Sequence, residues 1–439
     1  MKRKSIKLYW MGILSCFLWA CSNEPPFTDL ETPQENDEEK TWIQIRIQDA
    51  AFSTYASTID DYPHTYERLG MNYPLDLYIF TSGGIFDKHL QLPLTQIDTY
   101  TYQTDPFEYI TGQYYFYAFA NALPGQIPTP ASGINRLDFE KSTFNFHPDS
   151  LWNGSRGLVM GTLVGTSTMI GMSSNSSPET IYLPIGRIAS KVQHSYNEVE
   201  IKGDLKGRAT YPSGNRPAFT MLNKAQKVYV VGQWEGGFRQ LGSQAISPHF
   251  YGYVPADIDI EYEYPSRNSG IYTYTVENTN QVPTTRNSTT FLVRYTYTPD
   301  ISETYDVNHP DQLVTTAITP GHTFFVAVFE NGQWLIYKDD PENIVHPVYN
   351  KPVYVREYGG GVMLYKIPVA DMTEKTPSLR YATIRNHYYE LKVLSISALG
   401  ATEEEINEPE PEIPLEIDGA IEFEIEVKEW EPVNIEVAF

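Results

Sequence analysis

The sequence predicts an all-β protein made of two antiparallel, sandwich-like β domains, and three observations predict it. Short runs alternate apolar and polar residues with a period of two, which puts every second side chain on one face of a strand. Glycine, proline, asparagine and aspartate punctuate those runs, and helical spacing is scarce. Tyrosine is very frequent, at 33 of 439 residues, and tyrosine and threonine suit the half-buried surface of a sheet.

The N-terminus reads as a processing segment. Lys2, Arg3, Lys4 and Lys7 precede the apolar run Leu8 to Trp19, which is too short to span a bilayer. Leu18-Trp19-Ala20-Cys21 follows and resembles a bacterial lipobox, in which a small residue precedes a cysteine that is lipidated and becomes the first residue. Residues 1–20 are then a signal peptide and Cys21 the lipid attachment point. The other reading is an ordinary signal peptide cut nearby, with Cys21 incidental. Cys16 leaves with the peptide, so the mature chain holds by packing and not by disulfides. Residues 21–40 form an acidic tether with Pro25, Pro26 and Pro33 and too few apolar residues to fold.

The first domain is expected over residues 41–185. Its first strand is Trp42 to Ile47, with Ile43, Ile45 and Ile47 on one face. Asp49 to Asn72 shows no period and reads as a loop. Pro74 to Phe80 and Gln113 to Ala120 are further strands, and Gly157 to Gly171 reads as close-packed loop and strand. The second domain is expected over residues 186–402. Its strands include Lys227 to Val231, Tyr272 to Val276, Phe291 to Tyr297, Val362 to Val369 and Tyr388 to Ser397. Glu330-Asn331-Gly332, between Thr323 to Phe329 and Gln333 to Tyr337, is the strongest hairpin signal in the chain.

Residues 403–439 are a linker and a terminal strand segment. Thr402 to Pro414 is acidic, carries three prolines and reads as extended. Then Ile421, Phe423, Ile425 and Val427 line one face, Trp430 sits in an interruption, and Val433, Ile435, Val437 and Phe439 resume the period to the last residue. A strand of this kind needs a groove or a sheet edge. The pattern leaves two owners open: this chain, or another copy that accepts the strand by addition.

The formal net charge is −23 and the pI about 4.8, which disfavours nucleic acid as a partner. No two histidines fall at metal-ligand spacing, no nucleophile motif occurs, and nothing in the acidic chain selects a carboxylate pair. No cofactor, metal or enzymatic activity is expected. Arg46 and Arg68 are candidate points for a trypsin-like protease; Arg68 lies in an unpatterned stretch of the kind that is nicked, whereas Arg46 lies in a strand.

Several stretches together resemble the fimbrillin family of the Bacteroidales, subunits of type V fimbriae. They are the lipobox and tether ending at Cys21, Tyr274-Thr275-Val276-Glu277-Asn278-Thr279-Asn280 with the strand after it, Arg380 to Val393 running on to Gly400, and the tail around Val427-Lys428-Glu429-Trp430. The resemblance implies two transthyretin-like β-sandwich domains, export as a lipoprotein and an outer-membrane anchor through lipid. It implies that an arginine-directed protease removes the first strand, here Trp42, Ile43, Ile45 and Ile47, and that a neighbour's C-terminal strand fills the groove. Ile421 to Val427 and Val433 to Phe439 match the donor. Gln48 to Glu67 holds no arginine or lysine, so Arg68 lies later than that pattern places its cleavage arginine. Expected partners are other copies or related fimbrial subunits, the outer membrane, and a host or bacterial surface ligand. The alternative function is a non-polymerising surface lipoprotein that binds glycan or protein, with aromatics such as Trp152 or Trp234 stacking on sugars.

Overall fold

The computed structural model describes residues 39–49, 73–98, 101–145, 157–162, 165–195, 199–210, 218–225, 227–232, 234–235, 238–239, 250–251, 271–280, 282–300, 304–313, 318–407, 413–415 and 419–429. They are almost all strand and turn, with short helices at Arg136–Glu140, Pro377–Arg380 and Glu403–Asn407.

The N-terminal part is one ten-stranded sheet. Its order runs Phe86–Leu92, Leu75–Thr81, Gly112–Ala120, Met160–Thr162, Glu179–Arg187, Lys40–Asp49, Thr101–Thr104, Leu94–Gln96, with two further strands paired off this path. The strands at the two ends are separated in sequence only by Pro93, so the chain passes directly from one end of the order to the other at that residue. Proline has no N–H to give a ladder and suits that corner. The inner face encloses Ile43, Ile45, Ile47, Leu75, Leu77, Ile79, Phe116, Ala118, Ile181, Leu183 and Ile185. A Cβ on Gly161 would lie 2.6 Å from the Phe119 ring, so only glycine admits this close approach between Met160–Thr162 and Gly112–Ala120.

The chain crosses to a second group of sheets between Arg187 and Ala189. His387–Ile396 is the spine of one sheet. Ala189–His194 and Glu200–Ile201 run parallel along one of its edges, and Ile421–Glu429 runs antiparallel along the other. The facing sheet is centred on Thr290–Pro299, with Gly207–Thr210 and Ala218–Leu222 on one edge and Val362–Pro368 on the other. Between them lie Val192, Phe219, Phe291, Val293, Tyr295, Tyr365, Ile367, Tyr389, Leu391 and Val393. A third sheet carries the expected hairpin, Phe324–Val328 with Trp334–Tyr337. Gly332 turns it at φ 78°, the left-handed conformation that glycine adopts freely.

Two sequence expectations change here. Four pairings among the described residues are parallel, so the sheets are mixed and not purely antiparallel. The stretch after Thr402 is not wholly extended either. The Glu405 amide donates to Thr402 Oγ1 (3.2 Å) and the Thr402 amide donates to Glu405 Oε2 (2.8 Å), a reciprocal cap that starts Glu403–Asn407. Ile406 then covers Leu222, Leu292, Val362 and Leu364 on the outer face of the sheet.

Arg385 and Glu277 sit where the N-terminal sheet meets the C-terminal sandwich. Their side chains are 1% and 0% exposed and 2.8 Å apart. Arg385 also donates to the carbonyls of Tyr229 (2.6 Å) and Val230 (3.3 Å). Lys227–Tyr229 pairs with Thr143–Asn145, and Val228 and Val230 pack with Phe139, Phe144, Ile188 and Val276. Burial pulls the Arg385 pKa down to about 9, which leaves it charged at neutral pH. Asn386 beside it takes φ 58°; its amide donates to Ala189 O (2.9 Å), and its side chain accepts from the Arg187 amide (3.2 Å).

Two predictions concern stability. Arg385→Met strands a buried carboxylate and should lower unfolding free energy by about 3–5 kcal/mol in urea titrations. Adding Glu277→Leu should recover more than half of that loss; a double variant no better than Arg385→Met contradicts the assignment of the loss to the stranded charge. His194 is fully buried beside Phe219 and Tyr295, with Nδ1 donating to Ser195 O at 3.0 Å, and desolvation pushes its pKa down to about 4. As pH falls below about 6.5 the unfolded chain takes up a proton that the folded chain refuses, so this group removes stability down to about pH 4. The difference is of order 3 kcal/mol. The pH profile of His194→Gln should lack that part of the acid slope seen in the parent chain.

Candidate functional site

The first strand lies inside its sheet and not at an edge. Lys40–Asp49 pairs in parallel with Glu179–Arg187, from Ile43 opposite Glu179 to Asp49 opposite Ile185. Its other edge pairs antiparallel with Thr101–Thr104 and Phe107–Ile110. Ile43, Ile45 and Ile47 are 0% exposed. At about 1.5–3 kcal/mol each, their burial contributes on the order of 5–9 kcal/mol before ordering entropy is set against it. The walls add polar grips. Thr104 Oγ1 accepts from the Ile45 amide (3.0 Å), and the Thr41 hydroxyl donates to Gly171 O (2.8 Å).

The outward row of the strand is also engaged. Gln44 donates to Thr180 Oγ1 (2.5 Å) and accepts from Gln103 (2.8 Å). Arg46 donates to Gln103 Oε1 through Nε (2.9 Å) and to the Tyr182 hydroxyl through Nη1 (3.1 Å). Its backbone is flanked by paired strands on both sides. A protease binds an extended, unpaired backbone, so Arg46 is shielded in the folded chain. Trp42 is half-buried on the same outward face. Cys21 and Arg68 lie outside the described residues.

The tail divides. Ile421–Glu429 pairs along the whole of His387–Ile396 in its own chain, with Leu391 opposite Ile425 and Tyr389 opposite Val427. Ile421 and Ile425 are buried, and Phe423 and Val427 pack against the sandwich core. This half of the expected donor segment is therefore a closing strand here, because the apolar face it carries matches the exposed flank of its own sandwich. Ser395 donates to Glu422 (2.7 Å), and Lys202 lies 2.9 Å from the same carboxylate. Upstream, Arg356 pairs with Glu405 at 2.6 Å, and the Leu415 amide donates to Pro283 O at 3.2 Å. Trp430, Val433, Ile435, Val437 and Phe439 lie outside the described residues, as do Trp152 and the side chain of Trp234.

Sequence reading missed the polar grips. Thr41, Ser173 and Thr104 are remote in sequence, and no local pattern links them. A threonine in the inward row of an otherwise isoleucine-lined strand was the one available signal.

Residues 356–434 match the family model described as "Major fimbrial subunit protein type IV, Fimbrillin, C-terminal". No curated protein matches the chain. Among solved structures it is similar to a putative cell adhesion protein from Parabacteroides distasonis ATCC 8503, at 14% identity and TM-score 0.49, covering 90% of this chain and 99% of that one. It is similar to a fimbrilin from Porphyromonas gingivalis W83, at 11% identity and TM-score 0.47, covering 89% and 98%. It is also similar to the tip fimbrial protein Mfa3 from Porphyromonas gingivalis with C-terminal truncation, at 13% identity and TM-score 0.42, covering 89% and 100%. The matched segment includes the edge strand Tyr354–Tyr358 from Arg356 on, the spine His387–Ile396 and the closing strand Ile421–Glu429. Over residues 356–434, this chain is similar to the C-terminal region of fimbrillins.

Proposed function

We propose that this chain is a structural subunit of a cell-surface fimbrium, held first at the outer membrane through lipid on Cys21, that joins related subunits by donor-strand addition and contributes to adhesion. One observation carries the reading. The first strand is interior to its sheet, yet it belongs to the N-terminal end of the fold, so its removal leaves a slot with an unpaired edge on each side. A strand with three alternating apolar residues refills such a slot, gaining ladder hydrogen bonds and side-chain burial together. Val433, Ile435 and Val437 have that spacing and lie beyond the closing strand. Processing at Arg68 would free the first strand. On this reading residues 41–187 form the accepting domain and the sandwich that follows carries the donor.

The second reading is a non-polymerising surface lipoprotein that binds glycan or protein. The in-chain pairing of Ile421–Glu429 favours it, because those residues, paired to their own sandwich, are not free to donate.

A pair of tail variants separates the two. Ile425→Asp places a charge in the sandwich core and should lower monomer stability by about 2–5 kcal/mol under either reading. Ile435→Asp should leave the monomer melting temperature within a few degrees of the parent and abolish filaments seen by electron microscopy. Normal filaments from Ile435→Asp, or none from the parent, speak for the second reading. A Cys21→Ala precursor should lose incorporation of labelled lipid and membrane retention; label retained in that variant places the attachment elsewhere.

A further inference from the structure

The slot around Lys40–Asp49 is more selective than its isoleucines require. The inward row reads Thr41, Ile43, Ile45, Ile47, and Thr41 is 0% exposed. Its Oγ1 donates to Gly171 O (2.8 Å), accepts from the Ser173 amide (2.8 Å) and lies 2.8 Å from Ser173 Oγ. Ser173 Oγ accepts from the Trp42 amide (3.1 Å) and donates to the Trp42 carbonyl. The segment from Gly171 to Ser173 thus clasps the beginning of the strand through two hydroxyls. Farther along, the outward row presents an amide and a guanidinium to Thr180, Gln103 and Tyr182.

The chain's own tail lacks the hydroxyls and the guanidinium; of the outward row it keeps the amide alone, with Asn434 in the place of Gln44. No serine or threonine follows Thr402. With Val433, Ile435 and Val437 placed where Ile43, Ile45 and Ile47 lie, Glu431 replaces Thr41 and Pro432 replaces Trp42. Proline has no N–H for Ser173, and the Gly171 carbonyl and Ser173 amide lose their hydroxyl partner. Glu436 then takes the place of Arg46. The alternative run, Ile421 to Val427, carries glutamate at every outward position between its apolar residues, on the same face as Glu108 of the slot wall.

We propose that this slot discriminates against the chain's own tail and accepts the donor strand of a different, related subunit. That strand carries serine or threonine two residues ahead of three alternating apolar residues, with amide or cationic side chains between them. Thr41 and Ser173 are the specificity-determining contacts. The inference rests on the donor-strand reading above.

The test uses the full chain with a protease site engineered between Asp49 and Tyr73. The chain is cleaved, unfolded in denaturant and refolded with fluorescent peptides, while the released first strand stays in the mixture as competitor. Four peptides are compared: residues 38–49, the same peptide with Thr41→Val, residues 419–439, and residues 419–439 with Glu431→Thr, Pro432→Trp and Glu436→Arg. The expected result is capture of the first peptide, about tenfold weaker capture with Thr41→Val, at least tenfold weaker capture of the unmodified tail, and recovery with the modified tail, since losing buried hydrogen bonds of this kind is worth about one order of magnitude. Equal capture of the unmodified tail and the first peptide, no effect of Thr41→Val, or no recovery with the modified tail overturns the selectivity while strand exchange stands. Failure of all four peptides, the native strand included, overturns strand exchange itself and the selectivity with it.

Discussion

The buried contact of Arg385 with Glu277 is the constraint on which the arrangement of the C-terminal sandwich against the N-terminal sheet depends. A guanidinium taken out of water must find acceptors for its N–H groups, and here they come from three directions: a carboxylate on the turn after Ile271–Val276 and two carbonyls of the segment 229–230. That segment pairs with Thr143–Asn145 of the N-terminal half. The Thr383 hydroxyl donates to Val276 O (2.9 Å), and Ser190 Oγ donates to Ile384 O (2.5 Å), so the turn carrying Arg385 is tied on both sides. Two stretches of the resemblance, the one around Glu277 and the one around Arg385, are the two halves of this single contact.

The same principle organises the slot around Lys40–Asp49 at lower stakes. Isoleucines in the first strand supply non-directional burial, which any apolar strand of period two could match. The hydroxyl and amide contacts are directional, so they fix the register of the first strand. The described residues between Thr402 and Glu429 combine both kinds of contact. Ile406, Ile421 and Ile425 bury apolar area, and Glu405 with Arg356 and Glu422 with Lys202 and Ser395 orient the short helix and the closing strand. Glu422 sits at the surface, where the Lys202 ammonium holds its carboxyl below the usual range; such a pair orients the strand more than it stabilises it.

Much of the strand content was legible because period-two alternation is local. Lys40–Asp49, Leu75–Thr81, Thr290–Pro299, Val362–Pro368 and His387–Ile396 were all visible within a residue or two. Phe86–Leu92 was not, because Asp87, Lys88, His89 and Gln91 hide its alternation. Glu403–Asn407 was not, because the run of glutamates that reads as a linker also contains the Thr402 and Glu405 pair of a helix cap.

The sequence by itself determined the all-β class, the apolar faces of the first and last strands, and the acidic, disulfide-poor character of the chain. These follow from side-chain type and spacing within a few residues. Only the tertiary structure decided that the first strand is interior and parallel to Glu179–Arg187, that Ile421–Glu429 closes its own sandwich, and that Thr41 meets Ser173 across 132 positions of chain. Pairing of that kind depends on which backbone edge is left open once every other strand has found a partner, and no local pattern records it.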